Sequence, residues 1–181
     1  MRIIAGEHRG RQLLAPENEN TRPITDRVKQ SVFDILAPVI EDADVYDCFS
    51  GTGSMGLECL SRGAGHVTFF ESDRSAVKLL KANIDTLRVA SRATVVSGDL
   101  FEWFSRKAGE PVDLIFLDPP YRYLTEMKIE LQRLAAGVAE SGALVVFRHA
   151  AQDKLALPPL EVVDQREYGG MAVEFLRKPT H

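Results

Sequence analysis

Long apolar runs are absent from this 181-residue chain: none exceeds a few residues, against the ~20 needed to cross a bilayer. The opening stretch MRIIAGEHRGR carries arginines but no apolar segment of the kind that directs secretion. The expectation is a cytoplasmic chain with no membrane contact. Cysteine is scarce too, at Cys48 and Cys59 alone, and no Cys/His cluster has metal-ligand spacing. A disulfide framework and a bound metal are therefore not expected, and both thiols read as reduced core residues. Excess positive charge is also lacking: the formal net charge is −4 and the pI about 5.6, so any nucleic-acid contact must come from a local basic patch.

What is present is ordinary for one globular domain, with 45% hydrophobic and 27% charged residues. From Val45 to Ala150 short apolar runs (VYDCF, HVTFFE, ATVVS, VDLIFL, ALVVFRH) alternate with amphipathic stretches (SMGLECLSRG, SAVKLLKANIDTL, LFEWFSRK, TEMKIELQRLAAGV). Strands of about five residues separated by helices indicate a parallel sheet covered on both faces. LEVVDQREY and MAVEFLRK then follow without room for a crossover helix, and the Gly169-Gly170 pair between them signals an antiparallel hairpin. The outline is an α/β, Rossmann-like, seven-stranded and mostly parallel sheet. Leu79, Leu80, Asn83, Ile84 and Leu87 form one helical stripe, and Gly63 is placed to close the preceding helix. Ahead of this core (41–181), residues 1–40 read as an appendage of the same domain. RIIAG and RGRQLLAP pair as a hairpin, followed by a helix in TDRVKQSVFDIL that Thr25 caps, with Pro38 just beyond its end.

The segment DCFSGTGSMG places Gly51, Gly53 and Gly56 in a G-x-G-x-x-G pattern between a strand and a helix, with Glu71 twenty residues past Gly51. That pattern alone fits a dinucleotide, and a nicotinamide-dependent oxidoreductase is one reading. Asp47 argues otherwise. A carboxylate at the end of the first strand repels a dianionic pyrophosphate but attracts the sulfonium and ammonium of S-adenosylmethionine. Glu71 ends the second strand, where it can accept from ribose hydroxyls, and Asp99 follows the third, where it can accept from the adenine amine. Each acid taken singly could equally cap a helix or a turn.

LIFLDPPYRY ends a buried strand on Asp118, Pro119, Pro120 and Tyr121. The prolines stiffen the turn and remove competing N–H donors, which leaves the Asp118 carboxylate and the Pro119 carbonyl as fixed acceptors. Tyr121 adds a flat face. Such a corner suits a planar group bearing NH₂: two acceptors hold its hydrogens, the nitrogen lone pair faces a methyl donor, and the ring stacks on the base. Alignment and oriented acceptors would supply the rate, without a metal. A plain strand-ending turn is the competing interpretation of the same four residues.

These motifs resemble the RsmD family, bacterial methyltransferases acting on the N2 amine of a guanine in small-subunit (16S) ribosomal RNA. The resemblance runs through RIIAG…RGRQL, TRPITDRVKQSVFDIL, DCFSGTGSMGLECLSRGA, FFESD, GDLF, FLDPPY and REYGG…VEFL. It implies a class I S-adenosylmethionine-dependent methyltransferase fold. It further implies that Asp47, Gly51 and Gly53 contact the methionyl part of the cofactor, Glu71 its ribose and Asp99 its adenine. Asp118 to Tyr121 would hold a flipped guanine, while Thr21, Arg22 and Thr25 match the segment that folds over the cofactor's carboxylate end. The front hairpin would face RNA, with Arg9, Arg11, Arg27, Lys29 and Arg122 as a phosphate-binding patch and Arg22 beside them. The implied partner is ribosomal RNA within an assembling or assembled particle, met by a monomer. An adenine-N6 methyltransferase is the nearest alternative. One departure stands out: where the family commonly has an acid after the fifth core strand, this chain reads VVFRH, putting Arg148 and His149 there. Ser50 replaces the usual alanine before Gly51.

Overall fold

In a computed structural model, residues 1–17, 24–106 and 110–180 are described. Helix α1 spans Asp26–Ile40, and the Thr25 hydroxyl accepts from the Val28 N–H at 3.3 Å, so the anticipated cap forms. Val28, Val32, Phe33, Leu36 and Ile40 are its buried side. Pro38 lies within the last turn rather than beyond it. Its missing N–H leaves the Asp34 carbonyl without its helical donor, and both residues are exposed, so the turn is open to solvent and the lost bond is cheap there.

The core then alternates β1 (Asp44–Cys48), α2 (Ser54–Ser61), β2 (His66–Glu71), α3 (Arg74–Leu87), β3 (Ala93–Ser97), α4 (Leu100–Arg106) and β4 (Leu114–Leu117). Helices α5 (Tyr123–Glu126) and α6 (Lys128–Ala139) lead to β5 (Leu144–Ala150), and β6 (Glu161–Tyr168) and β7 (Met171–Arg177) close the chain. The single helix expected in TEMKIELQRLAAGV is thus two, broken at Met127, where the backbone leaves helical geometry at φ −123° and ψ 28°. The strand order is β3-β2-β1-β4-β5-β7-β6. The first five strands run parallel, and β7 inserts antiparallel to both β5 and β6. This is the mostly parallel, seven-stranded arrangement with a C-terminal hairpin that the sequence pattern predicts.

All four residues of β4 are buried, because a central parallel strand is covered on both faces and has no reason to alternate. One face packs Val45, Phe69, Phe116, Val146 and Phe175 against α1, α2 and α3. The other packs Phe70, Ile115, Val145 and Phe147 beneath α4 and α6. Cys59 and Cys48 are free and buried, one in each layer. Among the described residues no helix is long and apolar enough to cross a membrane.

The front hairpin is looser than two paired strands: Arg2 and Gln12 form an isolated bridge, flanked by Ile3 N–H to the Arg11 carbonyl at 3.0 Å and Leu13 N–H to the Met1 carbonyl at 2.9 Å. Several other donors turn inward to α2. Glu58 accepts from the Ile4 and Ala5 N–H groups at 2.8 and 3.1 Å, and the Ser61 hydroxyl accepts from His8 N–H at 2.9 Å. Gly6 permits the approach, since a Cβ there would stand 2.0 Å from the Ser61 carbonyl oxygen.

Candidate active site

In a parallel sheet all the strands end at one edge, and this one reverses its winding between β1 and β4, where open α/β sheets place ligands. Successive residues of a strand alternate faces. Asp47 on β1 and Glu71 on β2 therefore share the face packed by α1, α2 and α3 with Asp118, just past β4, and with Arg148 on β5.

The glycine loop crosses this edge. Gly51 and Gly53 adopt φ +57° and +94°, and a Cβ on Gly53 would sit 2.5 Å from Leu80 Cδ1. Gly56 lets α2 lie on β2, since a Cβ there would come within 2.3 Å of Phe69 Cε1. Phe49, just ahead of the loop, has φ +60°, a conformation that costs a non-glycine residue on the order of 1 kcal/mol or more. Its ring meets those of Phe101 at 6.1 Å and Tyr123 at 5.7 Å, so three half-buried aromatics border the edge.

The acids have distinct settings. Asp47 is only 2% exposed and lies under the loop, where its Oδ2 accepts from Gly56 N–H at 2.9 Å. Burial pushes its pKa up to about 7. The Gly56 bond and the Lys29 charge oppose the rise, while the Asp118 and Glu71 charges add to it. Glu71 accepts from Gly51 N–H at 2.8 Å and, through its other oxygen, from Ser72 and Asp73 N–H, so it ties the loop to the end of β2. Asp99 is exposed and accepts from Phe101 N–H at 2.8 Å, which makes it the cap of α4 as well.

Asp118 has a partner that its motif does not announce. Arg148 Nε donates to Oδ1 at 2.9 Å and Arg148 Nη2 to Oδ2 at 2.5 Å, a two-pronged fork between side chains 17% and 25% exposed. Burial on its own would lower the arginine's pKa, but the Asp118 charge and hydrogen bonds outweigh it and hold the guanidinium above its ordinary value. The pair helps to line a small, otherwise apolar pocket with Ile24, Val32, Met55, Phe116, Val146 and Val173. Pro119 is buried, the Pro120 carbonyl accepts from Tyr123 N–H at 2.9 Å, and the Tyr121 side chain stands out, with 38% of the residue exposed.

Not every candidate residue belongs to this corner. Lys29 is no phosphate ligand: it is 2% exposed, with Nζ 3.1 Å from Glu58 Oε1 and donating to Ser54 Oγ and the Arg2 carbonyl at 3.0 Å each. Desolvation lowers its pKa in spite of the Glu58 charge. Arg9 and Arg11 are exposed on the hairpin, and Arg11 donates to the Thr86 carbonyl at the end of α3. Arg27 is exposed on α1. Arg122 is exposed beyond the Asp118 turn, 3.7 Å from Glu126 and stacked on Tyr123 at 5.6 Å. Thr25 is exposed, with its hydroxyl engaged as the helix cap. Thr21 and Arg22 fall outside the described residues.

Asn83 lies on the buried helical stripe read from the sequence and also clamps the site. It accepts from Leu14 N–H at 2.8 Å and donates to the Leu14 and Thr52 carbonyls, joining the segment after the hairpin to the glycine loop. The signal was its polarity within a buried helical face.

A family model described as "Conserved hypothetical protein 95" matches residues 1–177. The chain is 45% identical over 122 residues to the Escherichia coli protein named Ribosomal RNA small subunit methyltransferase D, a match covering 67% of this chain and 61% of that one. It is 41% identical over 134 residues to the Haemophilus influenzae protein of the same name, covering 72% and 69%. A solved structure titled putative methyltransferase yhhF from Escherichia coli superposes with a TM-score of 0.85 at 33% identity, over 98% of this chain and 97% of that one.

Proposed function

The chain belongs to the conserved hypothetical protein 95 family, the RsmD family that its motifs resemble, and on that premise we propose that it methylates the N2 amine of a guanine in small-subunit ribosomal RNA, using S-adenosylmethionine. The observation that carries this reading is the pairing, at the sheet's switch point, of an acid-walled glycine loop with the acceptor corner of Asp118 and Pro119.

The residues present fit the cofactor by charge. Burial raises Asp47 to about 7, and the nearby charges of Asp118 and Glu71 add to the rise, so an added positive charge is favoured beside it. A pyrophosphate would worsen that deficit, and a sulfonium with its ammonium relieves it. Gly51, Gly53 and Asp47 would hold the methionyl end, Glu71 the ribose and Asp99 the adenine. When bound, S-adenosylmethionine supplies a methyl group made electrophilic by the adjacent positive sulfur.

The chain's own contribution is orientation. Asp118 and the Pro119 carbonyl accept the two amine hydrogens of the base, which turns the nitrogen lone pair outward, and Tyr121 stacks on the ring. Because the amine lies on the pairing edge, the base must come from a loop or be swung out of its helix. The apolar walls of the pocket exclude water from the reacting nitrogen. The exposed hairpin, with Arg9 and Arg11, is the element that faces RNA, and Arg122 reaches a phosphate near the target. With so small a basic surface on an acidic chain, an assembled or assembling ribosomal particle is a better substrate than free RNA.

The test is nucleoside mass spectrometry of small subunits that lack the modification, after incubation with protein and methyl donor. N2-methylguanosine is the expected product. N6-methyladenosine in its place would move the protein to the adenine alternative, and no methylated nucleoside would overturn the activity.

A further inference from the structure

Arg148 changes what the acceptor corner can read. Through its fork to Asp118 it sets a donor and an acceptor side by side, with Nη2 and Oδ2 2.5 Å apart, among the residues that line the apolar pocket. Neither group is used up by the other. A carboxylate has about four lone-pair sites and the fork occupies two, while Nη2 keeps a second hydrogen and Nη1 points past Asp118 to the Met171 sulfur at 3.7 Å. Both side chains are partly exposed, on an apolar pocket wall rather than sealed in the core.

An outward-facing acceptor beside an outward-facing donor complements an amine nitrogen next to a ring nitrogen that has a lone pair. On guanine, N2 has such a neighbour on one side only, N3. The other neighbour, N1, bears a hydrogen and would clash with a guanidinium. We propose that Arg148 is a specificity-determining residue that donates to guanine N3 while Asp118 accepts the adjacent N2 hydrogen, leaving the second N2 hydrogen to the Pro119 carbonyl. This rests on the guanine-N2 reading and deepens it. An acid at position 148 would instead suit the N1–H side, so the arginine reverses which flank of the amine is recognised.

The register explains why one substitution suffices. Leu117 of β4 pairs with Phe147 of β5, so residue 148 arrives beside residue 118, on the same face of the sheet. The fork also fixes the carboxylate by both oxygens, so the acceptor is oriented before the base arrives.

The experiment uses small subunits reconstituted with RNA that carries either guanosine or 3-deazaguanosine, in which a C–H replaces N3, at the nucleotide found to be methylated. Wild type, Arg148→Met and Arg148→Lys are each assayed for kcat and KM on both particles, with cofactor affinity by calorimetry as the folding check. The expected result is that the guanosine-to-3-deaza ratio of kcat/KM is about 10- to 100-fold larger for wild type than for Arg148→Met, which has no donor, the range for one good base-edge contact. The altered reactivity of the 3-deaza amine enters every enzyme's ratio alike and cancels in this comparison. Arg148→Lys, which keeps a donor but no fork, falls between them. An Arg148→Met ratio equal to that of wild type overturns the inference while leaving the activity standing. Wild type without turnover on the guanosine particle overturns the proposed activity and this inference with it.

Discussion

Lowering the pH from 8 to 6 should weaken binding of S-adenosylmethionine about tenfold, through Asp47. The carboxyl titrates near 7 because it is buried under the glycine loop with Asp118 and Glu71 nearby, and the Gly56 bond and Lys29 only partly offset this. A cationic ligand favours the ionised form, so below pH 7 binding must first expel a proton, costing about 1.4 kcal/mol, or tenfold, per unit. Asp47→Asn retains an oxygen for Gly56 N–H but cannot titrate. Its affinity should be weaker than that of wild type at pH 8 and level across the range.

The same group affects stability with a fixed sign. Its folded pKa lies above the unfolded carboxylate value of ~3.9, so it favours the fold at low pH and that contribution is lost as pH rises toward about 7. Free of ligand, Asp47→Asn should therefore gain stability over wild type at pH 8, by up to about 4 kcal/mol. Calorimetric titration in buffers of different ionisation enthalpy measures both affinity and proton release. Equal wild-type affinity at pH 6 and 8, or a slope that survives in Asp47→Asn, would refute the reasoning.

Other consequences are simpler to read. Asp118→Ala should lower kcat by at least about 100-fold, the usual cost of losing an oriented group that acts on the reacting atoms, with cofactor affinity changed by less than about threefold; turnover near wild type would remove Asp118 from its assigned role. Glu58→Gln should destabilise the fold by about 3–5 kcal/mol in chemical denaturation, because it leaves the buried Lys29 ammonium without its countercharge. A loss below 1 kcal/mol would mean that the Lys29 pairing matters little. Gly56→Ala should cost about 1–3 kcal/mol by forcing α2 off Phe69, and should weaken cofactor binding as the loop shifts. An unchanged melting temperature would show that α2 has slack there.

The parts of this molecule that were legible in the sequence are those with local signals. Strand and helix periods, the Gly169-Gly170 turn and the Thr25 cap are each specified within a few residues, and the sheet follows from their alternation. The edge acids were visible as residues at strand ends that could also cap a helix or a turn, and each does accept from nearby backbone N–H groups: Asp47 from Gly56 in α2, Glu71 from Gly51 in the glycine loop and Asp99 from Phe101 in α4. What stayed hidden depends on contacts across the chain. Lys29 looks like a surface charge on an amphipathic helix, and only the docking of α2 and the hairpin buries it beside Glu58. Arg148 is thirty residues from Asp118 in sequence, and its fork exists because β5 lies in register beside β4. Pro38 misled for the opposite reason: a local rule ends helices at proline, but an exposed final turn tolerates the missing bond.

The central claim is that the edge formed by Asp47, Glu71 and Asp118 receives a positively charged methyl donor facing a tethered amine. Crystals grown with S-adenosylmethionine test it most directly. The ammonium and sulfonium should lie over the Gly51–Gly53 loop on the Asp47 side, with the methyl directed at the Asp118 corner. A donor found away from this edge, or a methyl directed away from Asp118, would contradict it.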